Sequence, residues 1–346
     1  MFSGQDTGFS QFQFTLSGGS PSRSGDSLST VNSFWSGLTS TAQGLFTNTG
    51  IQTYTGYYAA TLTQAATCTA TLGGAAGWMN CRGRAIRATF SFSAGDRIVF
   101  FAGKTTAKAV SAGQKVGAGG GASCLMTHSG STFTPLIVAA GGTGCFEAVE
   151  AVQEARPLSE SNTGTLRQSI RTTRANNVTS GGNNFIDGCG GCGRSLRDSA
   201  QQGGAGFYTG SFCASQSQGG KNVVPDPNGA QALNAGAMGG PNVNSGASAG
   251  GFGGGGGDYD GNCYGCGGGG YFGGWETEQS CSTTPRNDNT FPWYFNGTGS
   301  NNEMGPMSFV ASSGTSISDL GHNGTNQGYS SDGGQTRGYV TLDFSP

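Results

Sequence analysis

The sequence predicts an all-β sandwich with a bundle of extended glycine helices built into it, and three observations carry that prediction. Apolar residues recur at every second position in several separate segments, which is the period of a half-buried strand and not of a helix. Glycine supplies 67 of the 346 residues, against a usual share of about 7%, and it is gathered into runs. Aromatic and charged residues each make up 10% of the chain, whereas disordered chains combine few aromatics with much charge. With rings to bury and little charge to solvate it, the chain is expected to form one composite unit over residues 1–346.

The strands come first. Phe12, Phe14 and Leu16 alternate with Gln13 and Thr15; Cys68, Ala70 and Leu72 alternate with Thr69 and Thr71. Ile86, Ala88, Phe90 and Phe92 alternate with Arg87, Thr89 and Ser91, so each segment can cover one side of a core. The runs Ile98 to Phe101 and Leu136 to Val138 are continuously apolar, which suits strands buried on both faces. Near the end, Val340, Leu342 and Phe344 alternate again with Thr341 and Asp343. Sandwich strands are therefore expected mainly over 12–145, with loops and closing strands over 276–346, so that both ends of the chain enter the sheet.

A glycine-rich region is expected over 181–275. Half of the residues from Gly239 to Gly274 are glycine. A flexible spacer would lack the rings that interrupt these runs at Phe252, Tyr259, Tyr264, Tyr271, Phe272 and Trp275. The alternative is a set of polyglycine-II helices, with three residues per turn and about 3.1 Å rise. Such helices have no internal hydrogen bonds, so their buried backbone groups must pair with neighbouring helices. Only residues without Cβ allow that approach from every side. Runs at Gly117 to Gly121, Gly188 to Gly193, Gly250 to Gly257 and Gly267 to Gly274 meet this requirement in separate segments, and packed helices are the expectation.

One stretch differs. FEAVEAVQEARP, Phe146 to Pro157, spaces Val149 and Val152 three apart among Glu147, Glu150 and Glu154 and ends in proline, which reads as a short helix. Arg167, Arg171 and Arg174 follow with helical spacing, so 146–180 is expected to be a helical insertion.

Ten cysteines, Cys68, Cys81, Cys124, Cys145, Cys189, Cys192, Cys213, Cys263, Cys266 and Cys281, are an even number and are candidates for disulfides. Glycine loses the most backbone freedom on ordering, so cross-links that constrain the unfolded chain help such a sequence most. Pairing stays open, and an oxidising environment is the corollary. The competing reading is a zinc site built from CGGC at Cys189–Cys192 and CYGC at Cys263–Cys266. Glycosylation candidates, if the chain passes through a secretory pathway, are Asn177, Asn296 and Asn323, each in an N-x-[ST] sequon.

Function classes narrow by charge and composition. A formal net charge of −2 gives no electrostatic reason to approach a phosphate backbone, so nucleic acid is not an expected partner. No run of 18 apolar residues occurs, so no insertion by a membrane-spanning helix is expected. The only histidines are His128 and His322, and both read as surface or structural imidazoles. Asp258 and Asp260 beside the glycine runs read as ordinary loop carboxylates. No catalytic residue, metal ligand or cofactor is expected.

Taken in order, GIQTYTGYYAATLTQAATCTATLGGAAG (Gly50 to Gly77), RGRAIRATFSFSAGDRIVFFAG (Arg82 to Gly103), GAGGGAS (Gly117 to Ser123) and PLIVAAGG (Pro135 to Gly142) form a recognisable series. It continues through GGFGGGGG, GGGGYFGG and RGYVTLDF (Arg337 to Phe344). This series resembles the glycine-rich extracellular domain of the anaplastic lymphoma and leukocyte receptor tyrosine kinases, and similar stand-alone domains of protists, algae and large DNA viruses. The resemblance implies a jelly-roll sandwich, like that of tumour necrosis factor, carrying packed glycine helices. In the receptors such a unit binds a protein ligand and drives assembly, and no enzymatic activity belongs to it.

The function expected is a non-enzymatic structural or assembly protein of an extracellular structure or virus particle, with protein subunits of the same assembly as partners. The alternative is a soluble or surface binding module for a protein ligand or glycan, with Trp35, Trp275 and Trp293 as exposed aromatic candidates.

Overall fold

A computed structural model describes residues 11–51, 53–77, 82–106, 118–144, 192–193, 203–215, 222–225, 229–242, 249–257, 264–274, 277–278, 306–323 and 336–346. Among them the order is β1 (Phe12–Ser17), α1 (Leu28–Ser36), α2 (Ser40–Leu45), β2 (Phe46–Ile51), β3 (Tyr58–Leu62), β4 (Ala66–Gly73), β5 (Arg84–Phe92), β6 (Arg97–Phe101), β7 (Ser123–Ser129), β8 (Thr132–Ala139), β9 (Cys192–Gly193), β10 (Phe212–Ser215), β11 (Asn222–Pro225), β12 (Tyr264–Gly265), β13 (Thr277–Glu278), β14 (Phe309–Val310), β15 (Thr315–His322) and β16 (Tyr339–Ser345). The expected helix over Phe146 to Pro157 lies outside the described residues.

Two antiparallel sheets dominate. One has the order β1-β16-β4-β5-β15 and the other β14-β8-β7-β6-β3-β2. The alternating segments line up in register across the first sheet. Phe12 faces Phe344, Phe344 faces Cys68 and Cys68 faces Phe90. Leu16, Val340, Leu72 and Ile86 form a parallel row. All of these side chains are buried in one cluster, while Thr15, Thr341, Thr69 and Thr89 take the intervening positions. A one-residue slip would turn the whole apolar set outward, so the pattern specifies the register. The first and last strands are direct neighbours, which ties the two ends of the described chain together.

The second sheet is covered on both faces. In β6, Ile98 and Phe100 join the cluster between the sheets, whereas Val99 and Phe101 join a second cluster on the opposite face. That division is why Ile98 to Phe101 reads as an unbroken apolar run. In β8, a register irregularity lies between the pairs that Leu125 and Met126 make with it; Leu136 and Ile137 both enter the inter-sheet core while Val138 enters the other.

Two helices were not expected. Ser27 caps α1, its hydroxyl accepting from the Thr30 N–H at 3.3 Å. Val31 and Trp35 are buried. Phe34 meets Tyr58 edge-on at 5.0 Å, and Trp35 meets Phe46 at 5.7 Å and Phe100 at 5.9 Å. The helix thus packs its aromatic side against the sandwich core. A serine cap followed by Val31, Phe34, Trp35 and Leu38 at helical spacing is the signal that could have found it.

Candidate functional site

The feature that sets this sandwich apart lies on the second face of the six-stranded sheet, where segments without helix or sheet pairing stack against one another. Residues 74–77, 118–122, 140–144, 203–206, 250–257 and 266–270 belong to it, and all of them are buried. It draws on the sandwich half of the chain as much as on the glycine-rich half.

Segment 118–122 shows how the block is held. The N–H of Gly119 donates to Gly256 at 2.9 Å, that of Gly120 to Gly142 at 2.8 Å, that of Gly121 to Lys104 at 3.1 Å, and that of Ala122 to Gly253 at 2.8 Å. Its carbonyls accept from Gly251, Gly269 and Ala75. The first and fourth donors therefore reach the same neighbouring segment, and the two between them reach different ones. Segment 140–144 repeats this: Gly141 and Gly144 donate to Gly269 and Cys266, while Gly142 donates to Ala75. Bond directions recur every third residue, whereas along a strand they alternate.

Side chains are excluded by the same spacing. A Cβ built on Gly119 would fall under 3.0 Å from the Gly267 carbonyl, on Gly120 from that of Ala75, and on Gly121 from that of Phe252. Because the obstacles are backbone atoms of three separate segments, no rotamer change makes room. Rings line the junction with the sheet: Phe101 and Phe252 lie 5.3 Å apart, Tyr57 stacks on Phe101 at 5.0 Å, and Tyr271 stacks on Phe309 at 4.1 Å. The buried Tyr57 hydroxyl donates to the Leu233 carbonyl and accepts from the Gly236 N–H at 3.1 Å.

A charged group is buried beside the block. Lys104 Nζ lies 2.8 Å from Asp26 Oδ1, and the Tyr58 hydroxyl donates to Asp26 Oδ2 at 2.8 Å. Burial, and then the neighbouring Asp26 charge, push the Tyr58 phenol far up, so it remains a neutral donor.

Several expectations change here. Cys68 and Cys124 are fully buried free thiols, not disulfide partners. They occupy inward positions of β4 and β7 that serve packing, in different clusters on the two sides of the six-stranded sheet's core. Burial pushes both thiols well up. Cys266 is also buried, and its sulfur donates to the Gly257 carbonyl at 3.3 Å. Cys192 and Cys213 lie on neighbouring parallel strands, where Cys192 faces Phe212 and Cys213 faces Gly193. Cys81, Cys145, Cys189, Cys263 and Cys281 lie outside the described residues.

Asn323 is not open to a glycan in this fold. It is 6% exposed, and its Nδ2, the atom a glycan would take, donates to Gly74 at 2.8 Å and to Arg337 at 2.9 Å. Asn177 and Asn296 lie outside the described residues, as do Trp275, Trp293, Asp258 and Asp260. Trp35, expected on the surface, is 6% exposed and packed within the core.

His128 on β7 rests against the Phe133 ring at 4.4 Å. Burial, with the Arg97 charge beside it, lowers its pKa. His322 is on β15 opposite Arg84. Among the described residues no three His, Cys, Asp or Glu side chains gather as a metal site requires, and no helix is long and apolar enough to cross a membrane. The run GASAG at 246–250 has the spacing of a nucleophile elbow, but the segment after it, 250–257, forms no helix, and an elbow opens one. No family model matches the chain, and neither does any curated protein.

Proposed function

We propose that the protein is a non-enzymatic building unit of an extracellular structure or virus particle, working through protein–protein contacts with subunits of the same assembly. One observation carries this reading: the threefold recurrence of backbone bonds through segments 118–122 and 140–144. That recurrence supports polyglycine-II helices, which have three residues per turn, packed against one another. Glycine chains so paired form a stiff body from little side-chain material. The two antiparallel sheets, with first and last strands adjacent, support a jelly-roll sandwich as its scaffold. The ordered motifs from Gly50 to Phe344 support a place for the unit beside the glycine-rich receptor domains that they resemble.

An assembling unit needs surface that a neighbour can cover. Strand β15 is an edge of the five-stranded sheet and carries Ile317 at 45% and Leu320 at 43% exposure. Sedimentation velocity over a wide concentration range, with electron microscopy of the same samples, tests the reading. Concentration-dependent growth into discrete particles or filaments is expected, weakened by Ile317→Asp with Leu320→Asp. A monomer at every concentration would overturn the proposal.

A further inference from the structure

Lys104 and Asp26 are distant in sequence. Asp26 precedes α1, and Lys104 follows β6 and leads into the glycine block. Their side chains are 8% and 18% exposed, and the 2.8 Å contact between them is enclosed from several sides. The backbones of Gly25 and Gly56 press together so closely that a Cβ on either would strike the other, and the Phe252 ring abuts both. Tyr58, which caps the second carboxyl oxygen, is itself stacked on Phe100 at 5.7 Å and held edge-on by Phe34.

An ion pair withdrawn from water gains little, because desolvation of both charges offsets their attraction. Attack on a carboxyl carbon needs an uncharged amine, and transfer of one proton along the contact, from Nζ to Oδ1, would supply it. The amine then lies 2.8 Å from an oxygen bonded to the carboxyl carbon, a proximity that the fold has already arranged. We propose that Lys104 and Asp26 join in an intramolecular isopeptide bond between Lys104 Nζ and Asp26 Cγ.

The step balances without any other reactant. The Nζ lone pair attacks Cγ, and the developing charge on Oδ2 is met by the Tyr58 hydroxyl. Oδ1 takes up the protons released by the nitrogen and leaves as water, so the product is a neutral amide and one water molecule. Tyr58 touches a reacting atom and is the catalytic residue. The bond would lock the segment carrying α1 to the end of β6, where the sandwich meets the glycine block. It would give this glycine-rich chain a cross-link that the buried thiols Cys68 and Cys124 do not supply.

Mass spectrometry of the denatured, reduced full chain tests this. The expected mass is one water below that of the sequence, with trypsin releasing a branched peptide that contains both Asp26 and Lys104. Lys104→Arg keeps the charge pair but cannot form the amide, so full mass and no branch are expected. In freshly synthesised protein, Tyr58→Phe should slow linkage by about a hundredfold or more. Wild-type protein at full mass, cleaved normally after Lys104, would overturn the proposal and leave an ion pair. A missing water mapped to any other residues would overturn it equally.

Discussion

Glycines that look alike in the sequence stand in different surroundings, and these set the effect of a single methyl group. At Gly121 a Cβ would meet the Phe252 carbonyl, part of a backbone held by its own hydrogen bonds, so Gly121→Ala should destabilise by about 3 kcal/mol or prevent folding. Gly44 in α2 has nothing within 4 Å, and Gly44→Ala should stabilise by about 0.5–1 kcal/mol through helix propensity and the unfolded chain. Denaturant unfolding of the two variants beside wild type measures the contrast. For the buried thiols, iodoacetamide labelling should leave Cys68 and Cys124 unmodified in the native protein and modify both after denaturation without reductant. Labelling of either in the native state would contradict their burial.

Among the elements, β1 and β15 hold opposite edges of one sheet by different means. β1 is anchored by rings: Phe14 meets Phe34 at 5.5 Å, Phe100 at 5.6 Å and Phe344 at 6.3 Å. Phe14→Ala should therefore cost about 3–5 kcal/mol in chemical or thermal unfolding. β15 is mostly exposed and is tied to β5 by Arg84, whose Nε donates to Asp319 Oδ1 at 2.8 Å and whose Nη2 pairs with Oδ2. Burial by itself would raise the Asp319 pKa, but Arg84, the Gly321 N–H and the His322 charge outweigh it and hold the carboxyl below its usual value. A depressed folded pKa means that the contribution is present above the unfolded value of about 3.9 and fades as pH falls through the folded one. Unfolding measured from pH 6 down to pH 2 should thus lose stability more steeply in wild type than in Asp319→Asn. Identical slopes would show that the pair does not act. The alternation in β1, β4, β5 and β16 was legible from sequence because each has one wet face. α1 was not, because Leu28 to Ser36 is rich in serine and threonine, and its helical apolar spacing is brief.

For the molecule as a whole, the glycine segments and the sandwich share one structure through bonds such as Gly121 to Lys104 and Ala75 to Gly121. Hydrogen exchange should then find the amides of Gly119 to Ala122 and of Gly141 and Gly142 protected as strongly as those of β4 and β6, opening only with global unfolding. Fast exchange confined to the glycine segments would show a loose attachment. The candidate site was partly legible in advance: the runs at Gly117 to Gly121, Gly250 to Gly257 and Gly267 to Gly274 announced close backbone approach. The contributions of 74–77 and 140–144 were hidden, because short stretches such as GAAG read as ordinary strand ends.

By itself the sequence determined which residues alternate, where backbone without side chains is available, and that the alternating segments at Phe12 to Leu16 and Val340 to Phe344 enter the sheet. These are properties of local spacing and of the missing Cβ, and they travel with the chain. Only the tertiary structure decided which glycine bonds to which, that Cys68, Cys124 and Trp35 are core residues, that Asn323 serves as a backbone clasp, and that Asp26 meets Lys104. Those outcomes depend on which distant segments are brought to the same place, and the physical forces that select them, burial and the pairing of buried polar groups, act across space and leave no mark in local order.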